Sequence, residues 1–124
     1  MYPLHKLKVY EQARELASAC YQVSSSVSDR DLRNQLLRAA RATAANLAEG
    51  AGSESQAVFA RYIAIALASA KETECHLQLA RDAGMLAPAQ HVELKSKVDN
   101  LAPRLVRLLH AVRRNAKRRI KESP

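Results

Sequence analysis

Apolar residues recur at three- and four-residue intervals along almost the whole chain, and this spacing constrains the fold more than any other feature of the sequence. An α-helix with about 3.6 residues per turn brings such positions onto one face, whereas a half-buried β-strand needs alternating apolar and polar residues. No run of the sequence alternates in that way. The pattern therefore predicts an all-α protein.

Glycine and proline help to divide this helical pattern into four segments. Gly50 and Gly52 form one break, Gly84 with Pro88 forms another, and Ser28 opens a capping-box-like sequence that favours a new helix. The predicted helices span about 7–27, 29–49, 54–84 and 88–115, with a basic tail over 113–124. Four helices joined by short connections bury their apolar faces most simply as an antiparallel up-down-up-down four-helix bundle, which predicts a single domain over 1–124.

Particular residues are expected to shape the individual helices. Gly50 most easily takes the left-handed conformation that ends a helix, so the second helix is predicted to end there. Pro103 removes the N–H that would bond to the carbonyl of Asp99, which predicts a kink rather than a break in the fourth helix. The first helix is expected to face the core along a stripe from Leu7 to Tyr21.

The distribution of charge argues against a membrane protein. Lys6 and Lys8 interrupt the first residues before an apolar stretch of signal-peptide length can form. The longest uncharged apolar stretch, from Tyr62 to Ala70, is less than half of the ~20 residues that a membrane span requires. We therefore expect a cytoplasmic protein with no membrane partner.

The sequence contains no motif typical of a catalytic or metal site. A di-iron bundle needs Glu-x-x-His pairs, and none of the four histidines follows a glutamate at that spacing. The stretch 50–55 begins like a dinucleotide fingerprint but lacks the third glycine and follows a helix, which predicts a loop with helix-capping serines. A phosphate held at the next helix N-terminus stays an alternative. We expect no enzyme, no cofactor and no small-molecule substrate.

The two cysteines are predicted to be free thiols in helices. Cys20 and Cys75 are far apart and belong to no C-x-x-C pair, which favours packing as small apolar side chains. A disulfide, or a metal site that uses Cys75 and His76, stays an alternative, although zinc sites draw on three or four well-spaced ligands. We assign no metal.

Positive charge is concentrated at the C-terminal end. The chain has 20 Lys and Arg against 12 Asp and Glu, and residues 104–124 hold 8 of those basic residues but only one acid, Glu122. These basic residues are the predicted phosphate contacts: Arg104, Arg107, Arg113, Arg114, Lys117, Arg118, Arg119 and Lys121. A block of this kind favours an anionic partner, with nucleic acid ahead of a membrane surface.

Five of these residues would share one face of the fourth helix if that helix continues past 115 into the basic tail. At about 100° per residue they fall within a stripe about 100° wide, namely Arg104, Arg107, Arg114, Arg118 and Lys121. The segment has no aromatic residue for base stacking, so we expect it to bind the RNA or DNA backbone with little sequence preference. The alternative is a solvated, partly frayed C-terminus whose charges serve solubility.

Two stretches of the second predicted helix resemble a known family. The sequences Gln35-Leu36-Leu37-Arg38-Ala39-Ala40 and Asn46-Leu47-Ala48-Glu49-Gly50 are similar to the hallmark of the four-helix-bundle proteins encoded by intervening sequences in bacterial 23S rRNA genes. Leu7-Lys8-Val9-Tyr10 resembles the family's opening, Tyr21 an aromatic of its first helix, and Ser69 with Glu72 a pair in its third. Arg41 and Ala42-Thr43 depart from the family's pattern.

This resemblance implies a cytosolic four-helix bundle without established catalytic activity, often assembled as a ring-shaped homopentamer. It also implies a link to nucleic acid, because accessory proteins of diversity-generating retroelements have a similar fold and bind it.

Four polar residues on otherwise apolar or alanine-rich helices are predicted to form an interhelical hydrogen-bonded network that fixes register. They are Arg38, Asn46, Glu49 and Glu72.

Two functional hypotheses follow. The first is a non-enzymatic, oligomeric protein that binds nucleic acid, as an RNA-associated accessory protein, through the basic C-terminal helix. The alternative is a protein–protein interaction or scaffolding module without a nucleic-acid ligand, which would dock partners through exposed apolar positions such as Leu37 or Val58.

Overall fold

Four helices account for most of residues 2–122, the part of the chain that the computed structural model describes. They are α1 (Lys8–Val23), α2 (Arg30–Ala51), α3 (Gln56–Asp82) and α4 (Pro88–Glu122), with short 3₁₀ turns at Leu4–Lys6 and Ser24–Ser26. These residues include no β-strand. Because α1 and α3 each pack against both α2 and α4, the arrangement is an antiparallel up-down-up-down bundle. The predicted fold class is confirmed.

The core consists of aliphatic side chains from all four helices around a single phenylalanine. Its largest fully buried members are Phe59, Leu16, Leu36, Leu47, Ile63, Leu77, Leu101 and Leu105. Two buried hydroxyls are satisfied within their own helices: Thr43 donates to the carbonyl of Ala39 at 3.1 Å, and Thr73 donates to that of Ser69 at 2.8 Å. The core therefore buries these hydroxyl groups without the cost of leaving them unpaired.

Side-chain caps fix where α2 and α3 begin. Asp29 accepts a hydrogen bond from the N–H of Leu32 at 2.9 Å, and Ser55 accepts one from the N–H of Val58 at 3.3 Å. Each cap satisfies an amide that has no partner within its helix. Both helices consequently begin slightly later than the sequence predicted.

The first helix ends at Val23 rather than near Val27. Its buried face is narrow, and one aromatic residue of the helix therefore lies outside the core. Three serines follow in a 3₁₀ turn, where the hydroxyl of Ser24 donates to the carbonyl of Tyr21 at 2.7 Å. The buried stripe of α1 consists of Val9, Ala13, Leu16 and Cys20. Tyr21 lies a further ~100° around the helix and is 47% exposed, so its predicted place in the core is wrong.

Gly50 has a different role from the one its position suggested. The helix α2 continues to Ala51, and Gly84 is the only described glycine with a positive φ. A Cβ atom added to Gly50 would lie 2.6 Å from Cβ of Tyr62 and 3.0 Å from the ring of Phe59. Glycine is required here because α3 packs directly against the α2 backbone, whereas the left-handed conformation occurs at Gly84 after α3.

The last helix continues past the approximate end at 115 and reaches Glu122. It passes through Pro103 without a break. Val112 is its last buried residue, and residues 117–122 are all exposed. A helix that is already nucleated and packed adds further residues at little cost, and basic side chains near its C-terminus interact favourably with its dipole. The predicted tail over 113–124 is therefore helical as far as Glu122, and its last two positions lie outside the described residues.

None of the helices described between residues 2 and 122 combines the length and the apolar character that crossing a membrane would require.

The contact at Gly50 predicts the effect of adding a methyl group. Gly50→Ala should lower the free energy of unfolding by about 1–3 kcal/mol, because the new Cβ forces α2 and α3 apart. The matched change Gly52→Ala places its Cβ 3.6 Å from the nearest backbone oxygens, at a φ of −76°, so it should be neutral or raise stability by up to about 1 kcal/mol. Urea unfolding followed by circular dichroism measures both, and equal effects of the two changes would contradict this role of Gly50.

Candidate nucleic-acid interface

The C-terminal half of α4 displays basic side chains to solvent. All eight predicted phosphate contacts are exposed: Arg104, Arg107, Arg113, Arg114, Lys117, Arg118, Arg119 and Lys121. The helix carries no acidic residue between Asp99 and Glu122. Within the described chain none of the eight forms an ion pair, and Arg118 donates only to the side chain of Asn115 at 3.2 Å. Their positive charge is thus not neutralised by ion pairs within the described residues.

The helical geometry orders five of these residues. We call Arg104, Arg107, Arg114, Arg118 and Lys121 the basic stripe, since they occupy one side of α4. The stripe lies opposite the buried residues Leu105, Leu109 and Val112, and at 1.5 Å per residue it is about 26 Å long. A row of cations on a convex surface can follow a phosphate backbone from one side.

The remaining basic residues lie on other sides of the helix. Arg113 and Lys117 point towards α3, where they line a groove together with Arg61 of that helix. We call this space the alanine groove, because its other lining residues are Ala57, Ala60, Ala64 and Ala116. It has a volume of about 480 Å³ and no acidic side chain in its lining.

No feature of the sequence indicates that Arg61 is a functional residue. It is 52 positions from Arg113 along the chain and belongs to no charge run. Only the antiparallel packing of α3 on α4 brings the two together. Arg61 could have been identified only from the register between α3 and α4, which the periodicity of a single sequence does not provide.

A second groove follows the same helix pair further from the basic end. Its floor is mostly apolar, with Leu67, Ala102, Pro103 and Val106, and its volume is about 570 Å³. Asp99 at its edge accepts a hydrogen bond from Lys95 at 2.9 Å, and this bond raises the pKa of the Lys95 ammonium. The carboxylate is therefore already paired with a cation, while Lys71 and Arg107 stand at the same edge.

The four residues of the predicted polar network are not connected to one another. Arg38 and Glu49 are exposed, and Asn46 donates to the carbonyl of Ala42 in its own helix at 2.8 Å. Glu72 lies 3.7 Å from His76, also within one helix. No hydrogen bond or ion pair joins two of the four in residues 2–122, because three of them lie on exposed surface where water solvates them.

The cysteine and histidine side chains do not converge on a metal site in the part of the chain described. No group of three or more His, Cys, Asp or Glu side chains is close enough there to hold a metal ion. Cys75 is exposed, whereas Cys20 is buried in the core, and no disulfide joins them. Burial raises the pKa of the Cys20 thiol from 9.0 to about 12, since an apolar environment disfavours the thiolate.

Comparisons with known proteins agree with this architecture. The model of the family described as 23S rRNA-intervening sequence protein matches residues 5–107 of the chain. Among solved structures, one match is a protein with unknown function from the S23 ribosomal protein family of Bacteroides thetaiotaomicron VPI-5482. It superposes with a TM-score of 0.76 at 22% identity, over 82% of this chain and 97% of that one, and this likeness shows the shared fold. No curated protein matches the chain.

The two cysteines should differ in reactivity. At pH 8 a thiol reagent should modify the exposed Cys75 rapidly and Cys20 only after unfolding, because the thiolate is the reactive form. Cys75→Ser should remove the fast reaction and Cys20→Ser should preserve it, as followed by mass spectrometry with and without urea. Since the folded pKa of Cys20 is raised, its contribution to stability is complete below pH 9.0 and is lost as the pH rises towards 12. Rapid modification of Cys20 in the folded protein would contradict its burial.

Proposed function

The chain belongs to the 23S rRNA-intervening sequence protein family, and from this premise we propose that it is a non-enzymatic, oligomeric four-helix bundle that binds nucleic acid. The binding surface is the basic C-terminal part of α4. The observation that carries the proposal is the set of eight exposed Lys and Arg side chains on a helix without acidic residues between Asp99 and Glu122. Polyanions release counterions when they bind such a surface, and this release drives association.

The chemistry of the segment favours nucleic acid over a lipid surface. An interfacial helix needs a broad apolar face with aromatic anchors, and the exposed end of α4 offers Ile120 as its one large apolar side chain. Without aromatic side chains the segment cannot stack bases, and Arg and Lys on an exposed helix face can contact phosphates. We therefore propose binding with little sequence preference, in the manner of an RNA-associated accessory protein.

A binding role, rather than catalysis, is supported by the placement of the polar residues. Glu49 and Glu72 are exposed, Glu72 lies 3.7 Å from His76 of its own helix, and the buried hydroxyls of Thr43 and Thr73 are held by backbone carbonyls. An active site would need such groups to converge in one cleft. A cytoplasmic location belongs to the same proposal, since an exposed free thiol such as Cys75 suits a reducing compartment.

Exposed apolar side chains on α3 support the oligomeric part of the proposal. Ile65 is 42% exposed and Leu79 is 48% exposed, and both lie on the face of α3 that points away from the core. Covering these side chains with a second copy would remove apolar surface from water. The family resemblance implies a homopentameric ring, in which several basic stripes would act together on one nucleic acid and raise the avidity.

A scaffolding function is the second candidate, because two further apolar residues are exposed elsewhere. Tyr21 on α1 and Val92 on α4 are 47% and 65% exposed. The positions that the sequence suggested for docking, Leu37 and Val58, are instead partly buried. A protein partner that covers Tyr21 and Val92 would be the expected ligand if nucleic acid does not bind.

The salt dependence of binding tests the nucleic-acid proposal. Labelled duplex DNA and structured RNA should bind tightly at low salt, and the affinity should fall steeply as salt is added, as measured by fluorescence anisotropy. The double change Arg114→Gln and Arg118→Gln should lower the slope of log K against log salt by about 2 for duplex DNA, because two phosphate contacts are lost. The control Arg30→Gln with Arg81→Gln removes the same charge elsewhere on the surface and should leave the slope nearly unchanged.

Truncation after Val112, the last buried residue of α4, should abolish this binding while the bundle remains folded. Light scattering and circular dichroism establish that the truncated chain keeps its assembly state and helicity. Absence of binding by the wild type at low salt would exclude the nucleic-acid proposal and favour the scaffolding function.

Substitution on α3 tests oligomer formation. Ile65→Lys combined with Leu79→Lys should dissociate the assembly to the 13.7 kDa protomer, because burying two ammonium groups in an interface is unfavourable. Val92→Lys, a matched change on another exposed surface, should leave the assembly intact. Size-exclusion chromatography with light scattering measures the mass of each variant, and a wild type that is already monomeric would disprove the oligomeric part of the proposal.

A further inference from the structure

The alanine groove has positive charge on both of its walls. Arg61 stands on the α3 side, while Arg113 and Lys117 stand on the α4 side. No carboxylate lines this groove, and within residues 2–122 none of the three cations makes an ion pair. An anion in the groove would therefore meet cations from two directions, whereas the convex basic stripe contacts a ligand from one side only.

Methyl groups form the floor between these walls. Three alanines of α3 and Ala116 of α4 leave about 480 Å³ of open space. Small side chains permit close approach of a ligand backbone, and methyl groups neither donate nor accept hydrogen bonds to base edges. The lining also has no aromatic ring on which a base could stack. Any occupant must be recognised through its negative charges and its apolar surface.

We propose that the alanine groove binds the phosphate backbone of single-stranded nucleic acid, with Arg61 as a contact on the opposite wall from Arg113 and Lys117. This assignment rests on the proposed nucleic-acid function and specifies which form of the ligand enters the groove. A single flexible strand can bend into a concavity of about 480 Å³ between these cations, whereas a stiff duplex contacts a convex surface more easily. A duplex, whose two strands are held together, binds the convex basic stripe instead.

Two substitutions test the groove without touching the basic stripe. Ala57→Leu fills the floor and changes no charge, at an exposed residue in the first turn of α3. Arg61→Gln removes the cation from the α3 wall. The matched controls are Ala89→Leu, at the second residue of α4, and Arg81→Gln, at the other end of α3; both residues are exposed.

Binding of the full chain is measured by fluorescence anisotropy with labelled oligouridylate, which has little structure, and with a duplex DNA. At about 0.1 M salt, Arg61→Gln should weaken oligouridylate binding about 5-fold and lower its salt slope by about 0.7, the value for one lost phosphate contact on a single strand. Ala57→Leu should weaken it at least as much with little change in slope. Duplex binding should stay within about 2-fold of wild type for both variants, since its phosphate contacts on the stripe are intact.

Three results would overturn the assignment while the protein still binds nucleic acid. In the first, both groove variants bind oligouridylate with wild-type affinity, while the double variant Arg114→Gln and Arg118→Gln loses binding. This result would exclude the groove and leave the proposed function intact. Equal weakening of single-strand and duplex binding would exclude a site for single strands. Displacement of oligouridylate by inorganic pyrophosphate at matched ionic strength would indicate a small-anion site. If the wild type binds neither nucleic acid, the proposed function fails together with the groove; circular dichroism verifies that every variant is folded.

Discussion

The close approach of α3 to its two neighbours is the constraint on which the rest of the structure depends. Gly50 allows α2 to lie against Tyr62, and small buried residues such as Ala66 and Ala70 let neighbouring helices pack on the α3 backbone. Larger side chains at these positions would separate the helices and leave the core underpacked. The packing of α3 on α4 also determines the register between these two helices, which places Ala57 and Arg61 beside Arg113. The position of the alanine groove therefore follows from the packing of the core.

The geometry of the basic surface depends in turn on the continuity of α4. Short helices are marginal in water, so an isolated run of Lys and Arg would have no fixed arrangement. Here the run continues a helix that is anchored by Leu101, Leu105 and Val112, and the cost of nucleation has been met before the exposed part begins. Eight cations consequently have defined directions relative to the bundle. A disordered tail of the same composition would carry the same charge without a stripe or a groove wall.

Periodicity and charge were sufficient to predict the four helices, the all-α class and the basic stripe, because each depends on residues that are close in sequence. Gly50 shows where this reasoning fails: a helix-ending glycine and a glycine at a helix contact produce the same local pattern, and only the position of Tyr62 distinguishes them. Arg61 shows the same limit for the groove, since no local feature relates it to Arg113. Arg38 and Glu72 were expected to be linked because polar residues on alanine-rich helices suggest buried pairs, yet both are exposed. Contacts between helices require the register, which a single sequence does not reveal.

Three consecutive residues of α4 show how one helix can serve the core and two different surfaces. Val112 is buried, Arg113 lines the alanine groove, and Arg114 belongs to the basic stripe, because successive side chains point about 100° apart. Charges on the two exposed sides repel one another in the free protein, and no carboxylate of α4 between Asp99 and Glu122 relieves that repulsion. A bound polyanion relieves this repulsion on the side that it occupies, so binding and the stability of the basic segment are linked. In the proposed ring each further copy adds positive charge, which strengthens this link and makes an anionic ligand favour the assembled state over the separate protomers.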